Sequence, residues 1–157
     1  MPTYIDTILC EDVRPEIGNK LTLAGVFGEE MVLPQVPIAV PSFAIMQRWR
    51  LSRDEVERGN FGSFAFEIQT PQGQASRFPA QGPPPQPGVN VTTMTFIFKF
   101  MNMVFGQRGE YRFRTYLNDR EVNAYGFYVL VPADLPAARQ GQQAQVGRPP
   151  LGFHGNQ

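Results

Sequence analysis

Hydrophobic and polar positions alternate with a period of two along most of the chain before residue 132. From Phe43 to Leu51 the odd positions are Phe43, Ile45, Gln47, Trp49 and Leu51, while the even positions include Arg48 and Arg50. Successive side chains of a strand point to opposite faces, so this pattern predicts a strand with one buried face. Residues 62–70 repeat it, with Phe64, Phe66 and Ile68 on one side and Glu67 and Gln69 on the other. Pro71-Gln72-Gly73 supplies the turn that ends this strand. Residues 89–105 are the most hydrophobic stretch. Met94, Phe96, Phe98 and Phe100 share one face, and Thr95, Ile97, Lys99 and Met101 the other. That reads as a central strand covered on much of both faces, with a bulge near Asn102.

Turn chemistry joins these runs. Gly109 to Leu117 and Tyr125 to Val131 flank Asn118-Asp119-Arg120, which predicts a hairpin. Tyr4 to Val13 alternates imperfectly, Gly18-Asn19 is a turn, and Leu21, Leu23 and Phe27 continue as a second strand. Pro34, Pro37 and Pro41 limit the next segment to edge strand or extended loop, because proline cannot donate to a ladder. Helix is confined to Ser52–Arg58, where Ser52 and Glu55 have capping-box spacing before Gly59. The expected fold is therefore all-β: an antiparallel β-sandwich of about seven strands, immunoglobulin-like or C2-like. It should span residues 1–132, with Phe64, Phe66, Phe96, Phe98, Tyr111, Phe113 and Phe127 in the core or at its margin. Residues 81–88 (QGPPPQPG) read as a polyproline-prone loop. Residues 133–157, rich in Gln, Gly and Pro, read as a flexible tail.

Composition narrows the chemistry. A net charge of zero gives no whole-protein field for nucleic acid or anionic membrane, so no nucleic-acid partner is expected. No apolar run approaches the roughly 18 residues of a membrane span. The N-terminus has neither basic start nor apolar core of a signal peptide, so a cytoplasmic location is expected. Cys10, the single cysteine, sits beside Ile8 and Leu9 and reads as a small core residue. The single histidine, His154, lies in the tail, which argues against a rigid nucleophile–histidine–acid arrangement. One Cys and one His cannot supply a four-ligand zinc shell. The acids Glu11-Asp12, Glu29-Glu30, Asp54-Glu55 with Glu57, and Asp119 with Glu121 lack the dense alternation of a calcium loop and read as solvated loop charge. Gly25-Val26-Phe27-Gly28 lacks the lysine and helix of a phosphate loop. No cofactor, metal or catalytic residue is therefore assigned.

Three surfaces remain as binding material. Arg48 and Arg50 on one strand, with Arg112 and Arg114 on another, would form an anion-attracting stripe if both strands shared a sheet; the alternative is an ordinary solvated face. Trp49, Tyr116 and Tyr128 could line a carbohydrate or lipid site, although core or margin packing is the alternative for each. In the tail, Pro149-Pro150 pre-extends the chain and Leu151 and Phe153 lie two apart. They could dock on a partner or a neighbouring copy, or belong to a solubilising tail.

The run Cys10-Glu11-Asp12-Val13-Arg14…Gly18-Asn19-Lys20…Gly25-Val26-Phe27 resembles the opening of a family of uncharacterised bacterial proteins. The resemblance extends loosely over residues 8–131 and implies a domain of unknown function, with no catalytic residue to carry over. Gly109-Glu110-Tyr111-Arg112-Phe113 is similar to late strands of immunoglobulin-like sandwiches. The expectation is a non-catalytic module that binds a protein partner or forms a homo-oligomer. The alternative is a small-ligand protein or enzyme with a site built from scattered residues.

Overall fold

The computed structural model describes residues 2–18, 20–52, 54–55, 62–80 and 93–136. Among the described residues nine strands run in chain order: β1 (Thr3–Glu16), β2 (Lys20–Phe27), β3 (Glu30–Val32), β4 (Ile38–Arg50), β5 (Phe64–Gln69), β6 (Ala75–Ala80), β7 (Thr93–Phe105), β8 (Gly109–Leu117) and β9 (Arg120–Leu130). They form two sheets, a four-stranded one in the order β2-β1-β4-β7 and a five-stranded one in the order β3-β9-β8-β5-β6. All pairings are antiparallel except β3 with β9. The sequence spacing suggests about seven strands. Three-residue β3 is too short to show a period, and β6 (ASRFPA) carries a proline and little alternation.

The core lies between the sheets and is built from the faces the alternation marks. Phe43, Ile45, Gln47, Trp49 and Leu51 are all buried, as are Phe64, Phe66 and Ile68 opposite them. Tyr111, Phe113, Thr115 and Leu117 form the inner face of β8, and Phe127 and Val129 that of β9. Phenylalanine dominates the packing: Phe66 has ring neighbours in Phe64, Phe96, Phe98 and Phe113. Of the seven aromatics expected inside, Phe98 alone is half-buried, at the margin.

One polar group sits at the centre of this core. The Gln47 side chain is fully buried, and its carbonyl accepts from Trp49 Nε1 at 2.8 Å and from Thr115 Oγ1 at 2.8 Å. Its amide donates to Thr7 Oγ1 at 3.1 Å. Thr115 belongs to the other sheet, so this bond links the two layers.

The four-stranded sheet is creased. In β4 and β7 the inward-facing set changes from odd to even positions of β4, and from even to odd positions of β7, across Pro41 and Asn102. Their pairing skips that position but resumes in the same register, Ser42 with Met101 and Val40 with Met103. Asn102 has a φ of 53°. Both strands therefore turn together, and the bulge expected near Asn102 does not shift the ladder. Pro41, one of the three prolines expected to limit this segment to edge strand or extended loop, lies within β4 at a stretch that pairs with β7 alone among the described strands. The physical reason is local: β1 leaves β4 at Cys10–Ala44, so at Pro41 one side of β4 has no neighbour. Beyond that point β1 and β2 continue as a two-stranded ribbon.

The turns follow the sequence chemistry. Asn118 and Asp119 close the β8–β9 hairpin with φ of 49° and 61°, the two positive values a tight two-residue turn needs. Asn118 Oδ1 also accepts from Ser63 N at 3.0 Å. Asn118→Ala should cost about 1–2 kcal/mol, combining an unfavourable left-handed alanine with a lost hydrogen bond. Asn118→Gly removes only the bond and should cost less, and urea titration of both variants checks the order. Gly73, with φ 83°, donates to Thr70 O at 2.9 Å and closes the β5–β6 turn. Glu55 N donates to Ser52 Oγ at 3.3 Å and Glu55 Oε2 accepts from Ser52 N at 2.8 Å, so the capping box forms.

At the C-terminal end a short 3-10 turn, Pro132–Asp134, follows β9. Asp134 pairs with Arg108 at 2.8 Å, and Leu135 is buried. The first residues of the segment expected as tail thus pack on the sandwich. Residues 137–157, with His154, Leu151 and Phe153, and the proline-rich residues 81–92 lie outside the described residues.

Candidate functional site

The structure separates the residues proposed for an arginine stripe. Arg48 and Arg50 lie on β4 in the four-stranded sheet, and Arg112 and Arg114 on β8 in the five-stranded one. The condition for a single stripe, that both strands share a sheet, is not met. Three of the four are also engaged by carboxylates. Arg48 forms a two-pronged pair with Asp6, and Arg112 meets Glu110 at 2.9 Å. Arg114 lies 3.7 Å from Glu67 and 3.8 Å from Glu121. Glu67 stands between Arg77 and Arg114 in the cross-strand register, which makes this face a charge ladder of alternating sign.

The aromatic trio does not converge either. Trp49 is 2% exposed and bonded to Gln47 inside the core. Tyr116 lies on the outer face of β8 beneath the Arg77 guanidinium, 4.1 Å from its ring centre. Tyr128 is exposed on β9. Cys10 is buried with Val13 and Ala44 in a small cluster, and burial pushes its thiol pKa up, as a packed residue requires. Asp12 is held down to about 2 by hydrogen bonds from Arg14 and then Lys99. Among the described residues no three His, Cys, Asp or Glu side chains are grouped to hold a metal ion. No helix among them is long and apolar enough to cross a membrane.

What the geometry does provide is a contrast among strand edges. Each sheet has two outer strands: β2 and β7 in one, β3 and β6 in the other. Unpaired edges invite another strand, and proteins blunt them with shortness, charge, proline or irregular backbone. β3 has three residues. β6 has six and contains Arg77 and Pro79. β2 has Lys20 and is broken by Gly25 at φ 59°. That left-handed backbone is one glycine adopts without strain.

β7 is the longest of the four outer strands, its defences being one charge and the irregular backbone at Asn102, φ 53°. It runs for 13 residues, TMTFIFKFMNMVF, and among the described residues pairs only with β4. Its one charge, Lys99, is held 3.0 Å from Asp12 on β1. This corrects the reading of β7 as a central strand: its hydrophobicity on both faces belongs to an edge. Met101 is 72% exposed and Val104 62% exposed on its outer side. Its inner side meets β6 of the other sheet, where Phe78 packs on Phe98 (5.5 Å between ring centres) and Phe100 (6.1 Å). These three half-buried rings form an aromatic seam along the side where the two sheets end.

Sequence reasoning found the residues of β7 and missed their position. Alternation marks faces but does not show which strand lacks a second neighbour.

No curated protein matches the chain. The profile of a family of unknown function, DUF6941, matches residues 6–130, from within β1 to the end of β9. The match takes in both sheets and the creased β4–β7 pair, and the chain belongs to that family.

Proposed function

We propose that this protein is a non-catalytic binding or assembly module that takes an extended segment of a protein partner along β7. The observation that carries the reading is the β7 edge itself: long, almost uncharged and bordered by exposed Met101 and Val104. An added strand would pair with the backbone groups of β7 that meet no other strand among the described residues, while apolar side chains flanking the edge would supply affinity and selectivity.

The same reading takes the sandwich as immunoglobulin-like. Support comes from the parallel pairing of β3 with β9 beside an otherwise antiparallel β9-β8-β5-β6 sheet. Further support is the Tyr111 hydroxyl near the start of β8, which donates to Gln107 O four residues upstream at 3.1 Å. A tyrosine bonded back across the corner before a late strand recurs in that class.

A charged edge should abolish binding without disturbing the fold. Met101→Lys with Val104→Lys introduces two charges at exposed positions, where surface substitutions usually change stability by no more than about 0.5 kcal/mol. Proteins that co-purify with the tagged chain should be lost from this double variant and kept by Ile17→Lys, which alters the 98% exposed tip of the β1–β2 hairpin. Equal recovery with both variants would sink the proposal.

A further inference from the structure

We infer that the β1–β2 ribbon is a strap across the outer side of the four-stranded sheet that opens as a unit, hinged at Glu11 and Gly25, while both sheets stay folded. The strap lies on a different face from the β7 edge, and its opening does not depend on strand addition there.

Past Cys10 the ribbon leaves the line of the sheet. β1 and β4 are paired as far as Cys10 with Ala44 and part beyond it. Asp12, two residues on, meets Lys99 of β7 at 3.0 Å, although β4 lies between β1 and β7 in the strand order. The ribbon therefore bends across β4 instead of continuing beside it. Val13 reports the same bend. By alternation it would point with Leu9 into the main core. It packs instead with Cys10 and Ala44, and Leu23 of β2 and Ile97 of β7 close around them. Ala44 stands between the inward-facing Phe43 and Ile45, so this small cluster lies on the outer side of the sheet. The bend has a definite place. The β1–β2 ladder passes from Cys10–Val26 to Asp12–Ala24 and skips Glu11 and Gly25, and Gly25 has φ 59°.

Little holds the ribbon down. Among the described residues from 12 to 24, Val13 alone is buried, while Arg14 to Gly18 and Lys20 to Thr22 are exposed. The Asp12–Lys99 pair is partly solvated, and such pairs contribute little. Ser42 Oγ donates to Glu11 O at 2.6 Å, which fixes the hinge and not the moving part. A segment anchored by one buried side chain opens at far lower cost than the aromatic core between the sheets. Opening uncovers Cys10, Ala44 and Ile97 and leaves Cys10 in its ladder with Ala44.

The rate at which Cys10 reacts with dithionitrobenzoate in the full chain tests this. Cys10 is the single thiol and is fully buried, so the reaction counts openings. Val13→Ala should raise the rate about tenfold or more, because two buried carbon atoms are lost from the strap. Phe66→Ala, in the other sheet, shifts the global folding equilibrium by about a hundredfold or more and should leave the rate within about twofold. Should Phe66→Ala not fold, urea below the unfolding transition makes the same comparison in the unaltered chain. The rate should then rise far less steeply with urea than global unfolding does, because an opening strap exposes little surface. A rate that follows the global equilibrium in either comparison, or that Val13→Ala leaves unchanged, would overturn the inference.

Discussion

Phe66→Ala should destabilise the protein by about 3–5 kcal/mol, the range for removing a fully buried aromatic ring. Phe66 is completely buried and lies where β5 faces the inner side of β7. Its ring centre is 4.4 Å from Phe98, 5.0 Å from Phe96 and 5.5 Å from Phe113. Alanine removes the transfer free energy of the ring and leaves a cavity lined by stiff aromatics that cannot all collapse into it. Because those neighbours come from both sheets, the loss falls on the contact that holds the layers together. Phe98→Ala, at the half-buried margin, should cost less because solvent already reaches that ring. Denaturant titration of the two variants gives the comparison, and a larger loss for Phe98→Ala would contradict the assignment of core and seam.

Gln47→Leu should cost about 2–4 kcal/mol, although leucine is apolar and similar in size, because two buried donors lose their acceptor. Trp49 Nε1–H and Thr115 Oγ1–H both end on the Gln47 carbonyl, and neither Trp49 nor Thr115 is more than 2% exposed. The amide also leaves Thr7, whose hydroxyl retains the bond from Tyr4 at 3.1 Å. The diagnostic variant combines Gln47→Leu with Thr115→Val. Removing the stranded hydroxyl should recover roughly 1 kcal/mol, so the two changes together cost less than their sum. Strict additivity in thermal or urea unfolding would mean that the layer-spanning bond carries no coupling.

These two residues also show what the sequence makes legible. Phe66 and Gln47 both fall on the buried face marked by alternation, so their placement inside follows from period two alone. That Gln47 is the hub of a hydrogen-bond network does not follow, because Trp49 is two residues away but Thr115 is 68. The crease is equally hidden. Glycine at position 25 and proline at position 41 advertise irregular backbone, yet that Pro41 opposes Asn102 depends on strand pairing. The arginine stripe failed for the same reason: two alternating strands look alike whether they share a sheet or face one another. For β7 the side-chain pattern reports two apolar faces, and a central strand and an edge lined by aromatics both satisfy it. Edge position is decided by strand order, which arises from contacts distant in sequence.

Amide hydrogen exchange on the chain bound to its partner, compared with the free chain, is the most direct measurement of where the partner sits. Residues 93–105 should become protected on binding, with residues 20–27 of β2 unchanged. Protection confined to β2 or to the tip of the β1–β2 hairpin, with β7 exchanging as in the free chain, would contradict strand addition at β7.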